Sequence, residues 1–141
     1  MDEGSCVDLS KYRLERANEE IKASKGLLEL GYFNASASRS YYAIFYALLS
    51  VTVLDGFESS KHSGIISHFI HNYVKTKIFD KTVSDIIKSA FEIRTDADYE
   101  AFYTVSSQNA MKQINDAEKI IAILRPYLEK RWTEIEKGEI E

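Results

Sequence analysis

The sequence has very few of the residues that break helices or cross-link chains. Its 141 residues include one proline, six glycines and one cysteine. So little proline and glycine favours long helices over a turn-rich β fold, and a single cysteine excludes an internal disulfide. That residue, Cys6, lies near the N-terminus, where we expect a frayed segment over residues 1–9.

A long apolar run is also missing. The longest one, Tyr41 to Leu54, is shorter than the ~18–20 residues that span a bilayer. The acidic start, MDEGSCVDLS, lacks the apolar core of a signal peptide. We therefore expect a cytoplasmic protein without membrane contact.

The chain has no overall positive charge. Its formal net charge is −4, which argues against non-specific nucleic-acid binding through total charge. The charge is uneven, however: residues 61–94 contain six Lys/Arg against three acids, a balance of +3, so the rest of the chain sums to −7. A local basic surface thus remains compatible with the acidic total.

What the sequence does contain is helical periodicity. Apolar spacing and capping residues predict a single helical domain over residues 1–141, a four- or five-helix bundle. The predicted helices run from Ser10 to Leu30, from Asn34 or Ser36 to Leu54, from Ser59/Ser60 to about Lys77, from Asp80 or Thr82 to about Ile93, and from Ser106/Ser107 onward. Pro126 should kink or end the last helix close by, leaving residues 129–141 as a helical extension or a tail.

The second predicted helix is apolar on nearly all sides and is expected to run through the middle of the bundle. One of its stripes carries Arg39, Tyr42 and Tyr46, and a broader apolar stripe carries Tyr41. An unpaired buried charge is strongly destabilising, by about 3–5 kcal/mol, so Arg39 must find partners. The polar face of the first helix, which includes Glu20, is interpreted as solvated.

The histidines do not form a metal pattern. His62 is predicted to face inward at the first turn of the third helix, as a core-edge histidine bonded to a carbonyl or a tyrosine. His68 and His71 share a spacing of three, but no third ligand accompanies them. No inward Glu-x-x-His pair occurs in the sequence. We therefore predict neither a metal nor another cofactor.

Three segments resemble one known family. The run Ala37-Ser-Arg-Ser-Tyr-Tyr-Ala-Ile-Phe-Tyr-Ala47 is similar to the characteristic segment of HEPN-domain proteins (higher eukaryotes and prokaryotes nucleotide-binding). Lys61-His-Ser-Gly64 and Arg94-Thr-Asp-Ala-Asp-Tyr99 follow in the order found in the small prokaryotic branch encoded beside minimal nucleotidyltransferases. The resemblance spans roughly residues 10 to 128.

The resemblance implies an up-down helical bundle that forms homodimers and works with a minimal nucleotidyltransferase, often as a toxin–antitoxin pair. Many HEPN proteins are metal-independent endoribonucleases, in which a paired Arg-x4–6-His motif at the dimer interface serves attack of a 2′-hydroxyl on phosphate. In this sequence no arginine is followed by histidine at that spacing, and Tyr99 stands five residues after Arg94. A tyrosine, with an ordinary pKa near 10, is a poor general base at neutral pH.

The resemblance and the residue types together predict one anion-binding site. Two guanidinium groups suit a phosphate through bidentate hydrogen bonds. The candidate catalytic residues are Arg94 and His62, and the candidate nucleotide- or phosphate-binding residues are Arg39, Tyr42, Asp98 and Tyr99. The alternative for the last segment is structural: Arg94 pairs with Asp98, Asp98 caps the approach to the fifth helix, and Tyr99 packs.

Two functional hypotheses follow. In the first, the chain is the HEPN component of a toxin–antitoxin or nucleotide-handling pair and cleaves RNA at a dimer-interface site. In the second, it is a non-enzymatic subunit that binds nucleotide or docks the nucleotidyltransferase. For Tyr42 and Tyr46, core packing is the ordinary interpretation, and stacking on a nucleobase is the alternative.

Overall fold

The structure is a computed structural model that describes residues 2–138. The five α-helices between those bounds are α1 (Glu3–Glu29), α2 (Phe33–Thr52), α3 (His62–Phe69), α4 (Lys81–Tyr99) and α5 (Ser107–Glu136). A 3-10 turn, Val53–Asp55, follows α2, and a π-helical turn, Ile70–Val74, directly extends α3. The predicted all-α class is confirmed, since no strand occurs in this part of the chain.

The helix α2 is the centre of the bundle and contacts all four other helices. Twelve of its 20 residues are buried, as its apolar sequence predicts. Tyr41, Ile44 and Leu48 are completely enclosed, and burial of side chains of this size contributes about 1.5–3 kcal/mol each. The flank of α2 that stays partly exposed is the one that carries Arg39 and Tyr42.

Small hydroxyl residues hold α1 close to α2. The hydroxyl of Ser24 lies 2.9 Å from the Ser36 hydroxyl and 2.8 Å from the Ser40 hydroxyl, and all three residues are buried. The Ser24 hydroxyl also bonds to the carbonyl of Ser36 at 2.7 Å. These bonds satisfy the buried polar groups, and the short side chains bring Glu20 of α1 beside Arg39 of α2.

The ends of α1 and α2 differ from the prediction. Asp2 caps α1, so the segment expected to be frayed is helical from Glu3 onward. Ser10, the expected cap, is buried within α1 and donates to the carbonyl of Ser50 at 2.5 Å. The helix α2 begins at Phe33 without a side-chain cap, because the polar side chains expected to cap it make tertiary contacts instead.

Asn34 shows this most clearly. Its side-chain amide donates to the carbonyl of Tyr103 at 2.9 Å, and its side-chain oxygen accepts from the N–H of Val105 at 2.8 Å. It therefore ties the loop before α5 to the start of α2. In α3 the N-cap position is Lys61, without a side-chain cap, and not Ser59 or Ser60. The predicted end near Lys77 is also wrong, since α3 ends at Phe69 and its π-helical extension at Val74.

The helix α4 continues past its predicted end near Ile93, and α5 includes most of the segment that the sequence left open as a helical extension or a tail. The segment Arg94–Tyr99, expected at a helix end or in a loop, forms the final turns of α4. Ser106 caps α5 as predicted, but α5 passes through Pro126 and continues to Glu136. Past the proline, the indole N–H of Trp132 donates to the Ser10 hydroxyl at 2.8 Å. Residues 139–141 of the expected extension lie outside the described residues.

No helix between residues 2 and 138 combines the length and the hydropathy needed to cross a bilayer.

Candidate functional site

Three cationic or imidazole side chains from different helices meet at two adjacent tyrosines of α2. We call this group the arginine–tyrosine cluster; its members are Arg39, Tyr41, Tyr42, His62 and Arg94. Arg39 and the tyrosines come from α2, His62 is the first residue of α3, and Arg94 lies late in α4. The central position of α2 is what allows α3 and α4 to place side chains against the same pair of rings.

Arg94 is the most enclosed cation of the cluster, with 16% of its side chain exposed. Its Nη2 donates to the hydroxyl of Tyr42 at 2.9 Å, and its guanidinium carbon lies 5.3 Å from the centre of the Tyr41 ring. Its Nε lies 2.9 Å from an oxygen of Asp98, but the N–H is not aligned for a hydrogen bond. Arg94 is thus held in place by charge and aromatic contacts, while its Nε–H has no aligned acceptor among the described residues.

His62 is held by aromatic neighbours. Its Nδ1 lies 2.9 Å from the Tyr41 hydroxyl, and its ring stacks on Phe45 at a centroid distance of 4.0 Å. Burial and, secondarily, the positive charge of Arg94 lower the pKa of His62 below its ordinary value of 6.5. The imidazole is therefore neutral at pH 7. The tyrosine partner anticipated for a core-edge histidine is present.

Tyr41 has a hydroxyl that stays protonated. Burial raises its pKa to about 12, although the Arg94 charge acts in the opposite direction. The phenol can donate to Nδ1 of His62, or accept from it in the other tautomer. In the second arrangement, Nε2 of His62 carries the lone pair and faces away from the tyrosine.

Arg39 lies over the ring of Tyr42. Its guanidinium carbon is 4.7 Å from the centre of the Tyr42 ring. Its Nη1 is 3.1 Å from both carboxylate oxygens of Glu20, and Arg16 also approaches Glu20, at 3.8 Å. The prediction that Glu20 lies on a solvated face is wrong: it is 7% exposed and is the partner that Arg39 requires.

The segment after Arg94 agrees in part with the structural alternative and in part with the binding-site prediction. Asp98 pairs with Arg94 as the structural alternative predicts, but Ser106, and not Asp98, caps α5. Tyr99 does not pack into the core; 73% of it is exposed, and its ring centre lies 5.9 Å from the Arg94 guanidinium carbon. Tyr99 is therefore an accessible phenol beside the cluster.

These contacts define what the cluster can do chemically. It offers two guanidinium groups, paired with Glu20 and Asp98, and a neutral imidazole at a partly exposed surface. A phosphate bound there shares the guanidinium groups with these carboxylates, and the imidazole can accept one proton. Within residues 2–138, no group of three or more His, Cys, Asp or Glu side chains is placed to hold a metal ion.

Sequence reasoning missed Glu20 and the hydroxyl contact of Tyr41. For Glu20 a signal existed: it lies three residues after Ala17 and four before Ser24, beside the seam by which α1 packs. For Tyr41 the pattern correctly indicated burial, but it carried no information on the partner of its hydroxyl.

Comparison with known proteins identifies the family. Residues 10–129 match the HEPN domain family, and the chain therefore belongs to it. A protein of Methanocaldococcus jannaschii named "Putative toxin" is 26% identical over 126 residues, covering 89% of this chain and 84% of that protein. A UPF0332 protein of Thermotoga maritima is 29% identical over 119 residues, covering 84% and 90% of the two chains.

A second M. jannaschii protein of the same name is 29% identical over 86 residues, covering 61% of this chain and 64% of that protein. The HEPN resemblance seen in the three sequence segments is thus confirmed at the level of the family.

Proposed function

We propose that this chain is the HEPN component of a toxin–antitoxin or nucleotide-handling pair and that its arginine–tyrosine cluster binds a phosphate of RNA. The observation that carries the proposal is the convergence of Arg39, His62 and Arg94 on Tyr41 and Tyr42. These residues come from three helices, and two of the side chains are permanent cations. The names of the M. jannaschii relatives support a toxin role.

The proposed reaction is a phosphoryl transfer within the RNA backbone. Nε2 of neutral His62 takes the proton of a 2′-hydroxyl, whose oxygen attacks the adjacent phosphorus. The bond from phosphorus to the 5′ oxygen breaks, and that oxygen takes a proton from water. The resulting hydroxide takes the proton back from His62, so the products are a 2′,3′-cyclic phosphate and a 5′-hydroxyl. Arg94 and Arg39 stabilise the negative charge that develops on the phosphate oxygens.

Assembly belongs to the same proposal. The family resemblance implies a homodimer in which the arginines of two copies face each other, with a minimal nucleotidyltransferase as the second protein of the pair. The surface around Tyr42 and Tyr46 carries tyrosine and arginine, two residue types that are enriched at protein interfaces. In such a dimer, the arginine–tyrosine clusters of the two copies would lie together at the interface.

A non-enzymatic role is the second candidate, and the identity of Tyr99 favours it. Tyr99 stands where the endoribonuclease motif has histidine, and it is exposed. In that case the cluster binds nucleotide or positions Tyr99 for the partner enzyme, without cleaving RNA.

RNA cleavage separates the two candidates. Purified protein is incubated with total RNA beside an Arg94→Ala variant and an Arg125→Ala control, whose arginine lies between α1 and α5. Cleavage that falls at least tenfold in Arg94→Ala, and not in Arg125→Ala, supports the ribonuclease; a tenfold loss corresponds to about 1.4 kcal/mol of transition-state stabilisation. If neither the parent nor the variants cleave RNA, the non-enzymatic role is favoured.

A further inference from the structure

A groove of about 760 Å³ lies beside the arginine–tyrosine cluster, between α3 with its π-helical turn and α4. We call it the α3–α4 groove. Its walls include Phe57, Ser67, His71, Lys75, Lys88 and Phe91. Its volume is in the range of ligand-binding clefts, about 300–1,000 Å³, and its lining combines aromatic rings, a hydroxyl and ammonium groups.

The cations of the groove are available for a ligand. Lys75 and Lys88 are exposed, and neither has a carboxylate within 4.0 Å among the described residues. Both belong to the region from 61 to 94 that carries +3 in a chain of net −4. These two ammonium groups are the members of that region that line the groove, and cations without carboxylate partners attract anions.

The aromatic wall is ordered before any ligand binds. Phe57 stacks on His68 with ring centres 3.7 Å apart and an interplanar angle of 8°. His68 is in turn fixed by Asp55, with 2.9 Å between Nε2 and the carboxylate. The π-helical turn, a feature found often at functional sites, forms the same wall and positions Lys75 directly after it. His68 covers one face of the Phe57 ring, so the opposite face is the proposed platform for a base.

The groove is adjacent to the cluster. Phe91 lines the groove and also contacts Tyr41, with ring centres 5.9 Å apart. Lys88, Phe91 and Arg94 follow one another at three-residue steps of α4, so Lys88 and Arg94 are separated by about 9 Å along the helix axis and by about 120° around it. A strand with a phosphate at Arg94 therefore has to curve round α4 to bring its neighbouring nucleotide to the groove.

We propose that the α3–α4 groove is a subsite for single-stranded RNA, which takes a nucleotide next to the phosphate at Arg94. The base stacks on Phe57, and Lys75 and Lys88 contact the backbone phosphates. Base stacking on aromatic side chains and backbone contact with lysine are the two elements of single-strand recognition. The subsite rests on the proposed RNA function of the cluster and extends it to a second surface of the fold.

The test measures RNA binding without cleavage. A fluorescein-labelled single-stranded oligoribonucleotide with 2′-O-methyl groups is titrated with protein, and anisotropy is followed at several salt concentrations. The variants are Lys88→Ala, Phe57→Leu and Phe57→Tyr. Lys22→Ala is the matched control, since Lys22 lines the separate groove between α1 and α5. Thermal unfolding by circular dichroism verifies that each variant is folded.

We expect Lys88→Ala to reduce the slope of log affinity against log salt by about 0.7, the value for one phosphate contact with a single strand. Phe57→Leu should weaken binding about 5- to 150-fold, the range for loss of one stacked base. Phe57→Tyr and Lys22→Ala should bind like the parent. If Lys88→Ala behaves like Lys22→Ala, and Phe57→Leu binds like the parent, the subsite is refuted.

An Arg94→Ala arm separates the subsite from the function on which it rests. Weaker binding in Arg94→Ala alone refutes the subsite and leaves the phosphate role of the cluster standing. Weaker binding in the groove variants alone contradicts the role of Arg94 and refutes the placement of the subsite next to it. If the parent binds no RNA, the RNA function fails and the subsite fails with it. An unlabelled RNA duplex that competes as well as the single strand contradicts base stacking.

Discussion

At the scale of single residues, the neighbours of His62 determine its chemistry. Phe45 and Tyr41 enclose the ring, and Arg94 adds positive charge nearby. Each of these effects disfavours the protonated form. At neutral pH, His62 is therefore neutral in a larger fraction of molecules than an exposed histidine with an ordinary pKa near 6.5. Only the neutral form can accept a proton.

The titration of His62 can be followed by NMR. We expect a pKa below 6.5 in the parent protein and a higher pKa in Arg94→Ala, because the variant removes one of the two causes of the lowering. Burial, the larger cause, persists, so the variant should stay below 6.5. Arg125→Ala should leave the titration unchanged. A parent value at or above 6.5 would contradict this account of the cluster.

Stability should depend on the same proton. The folded pKa of His62 lies below its unfolded value, so the unfolded chain binds the proton first as the pH falls. The free energy of unfolding is expected to decrease as the pH drops below about 6.5 and to level off below the folded pKa. Urea denaturation of the parent and of His62→Gln at several pH values tests this: the variant should lose the part of the pH dependence that arises in this window.

At the scale of elements, α1, α4 and α5 extend past the residues whose sequence signals predict an end or a break, whereas α3 is shorter than predicted. Pro126 removes one backbone hydrogen bond, yet α5 continues for ten residues beyond it. The reason is tertiary: Trp132 packs against the core, and its indole N–H reaches Ser10 of α1, which bonds in turn to the carbonyl of Ser50 in α2. The end of α5 is thus linked by hydrogen bonds to α1 and, through Ser10, to α2.

Replacement of Trp132 tests the contribution of its hydrogen bond to Ser10. Trp132→Phe retains an aromatic ring but loses the indole N–H, and we expect a loss of about 0.5–1.5 kcal/mol of unfolding free energy. Thr133→Ala is the matched control, since Thr133 is exposed and its hydroxyl bonds only to the carbonyl of Glu129 within α5. Equal midpoints for parent and Trp132→Phe in urea denaturation would show that the contact adds nothing to stability.

At the scale of the whole molecule, both proposed sites involve the same three helices. The arginine–tyrosine cluster and the α3–α4 groove lie side by side on the part of the bundle formed by α2, α3 and α4. The groove between α1 and α5 contains Lys25, which is paired with Glu118 at 2.8 Å. Under the proposed function, we expect a partner that modifies or docks on this chain to bind where α2, α3 and α4 meet.

Modification of Tyr99 would reveal such a partner. In the non-enzymatic role, the Tyr99 oxygen attacks the α-phosphorus of ATP, pyrophosphate leaves, and the phenol proton passes to solvent. Intact mass should rise by one AMP when the partner nucleotidyltransferase and ATP are supplied. Tyr99→Phe should not change in mass, whereas Tyr32→Phe, which removes another exposed tyrosine, should behave like the parent. An unchanged parent mass counts against this reaction.

The sequence alone determined the helical class, the central place of α2 and the residue types of the candidate site. Those properties depend on local spacing, since apolar residues three and four apart mark a buried helix face. Several helix ends and the partners of Arg39, His62 and Arg94 were decided only by the tertiary structure. The contacts of these three residues with Glu20, Tyr41 and Tyr42 span 19, 21 and 52 residues of sequence. Such contacts depend on how each helix is rotated against α2, and this rotation is a product of the whole packed core.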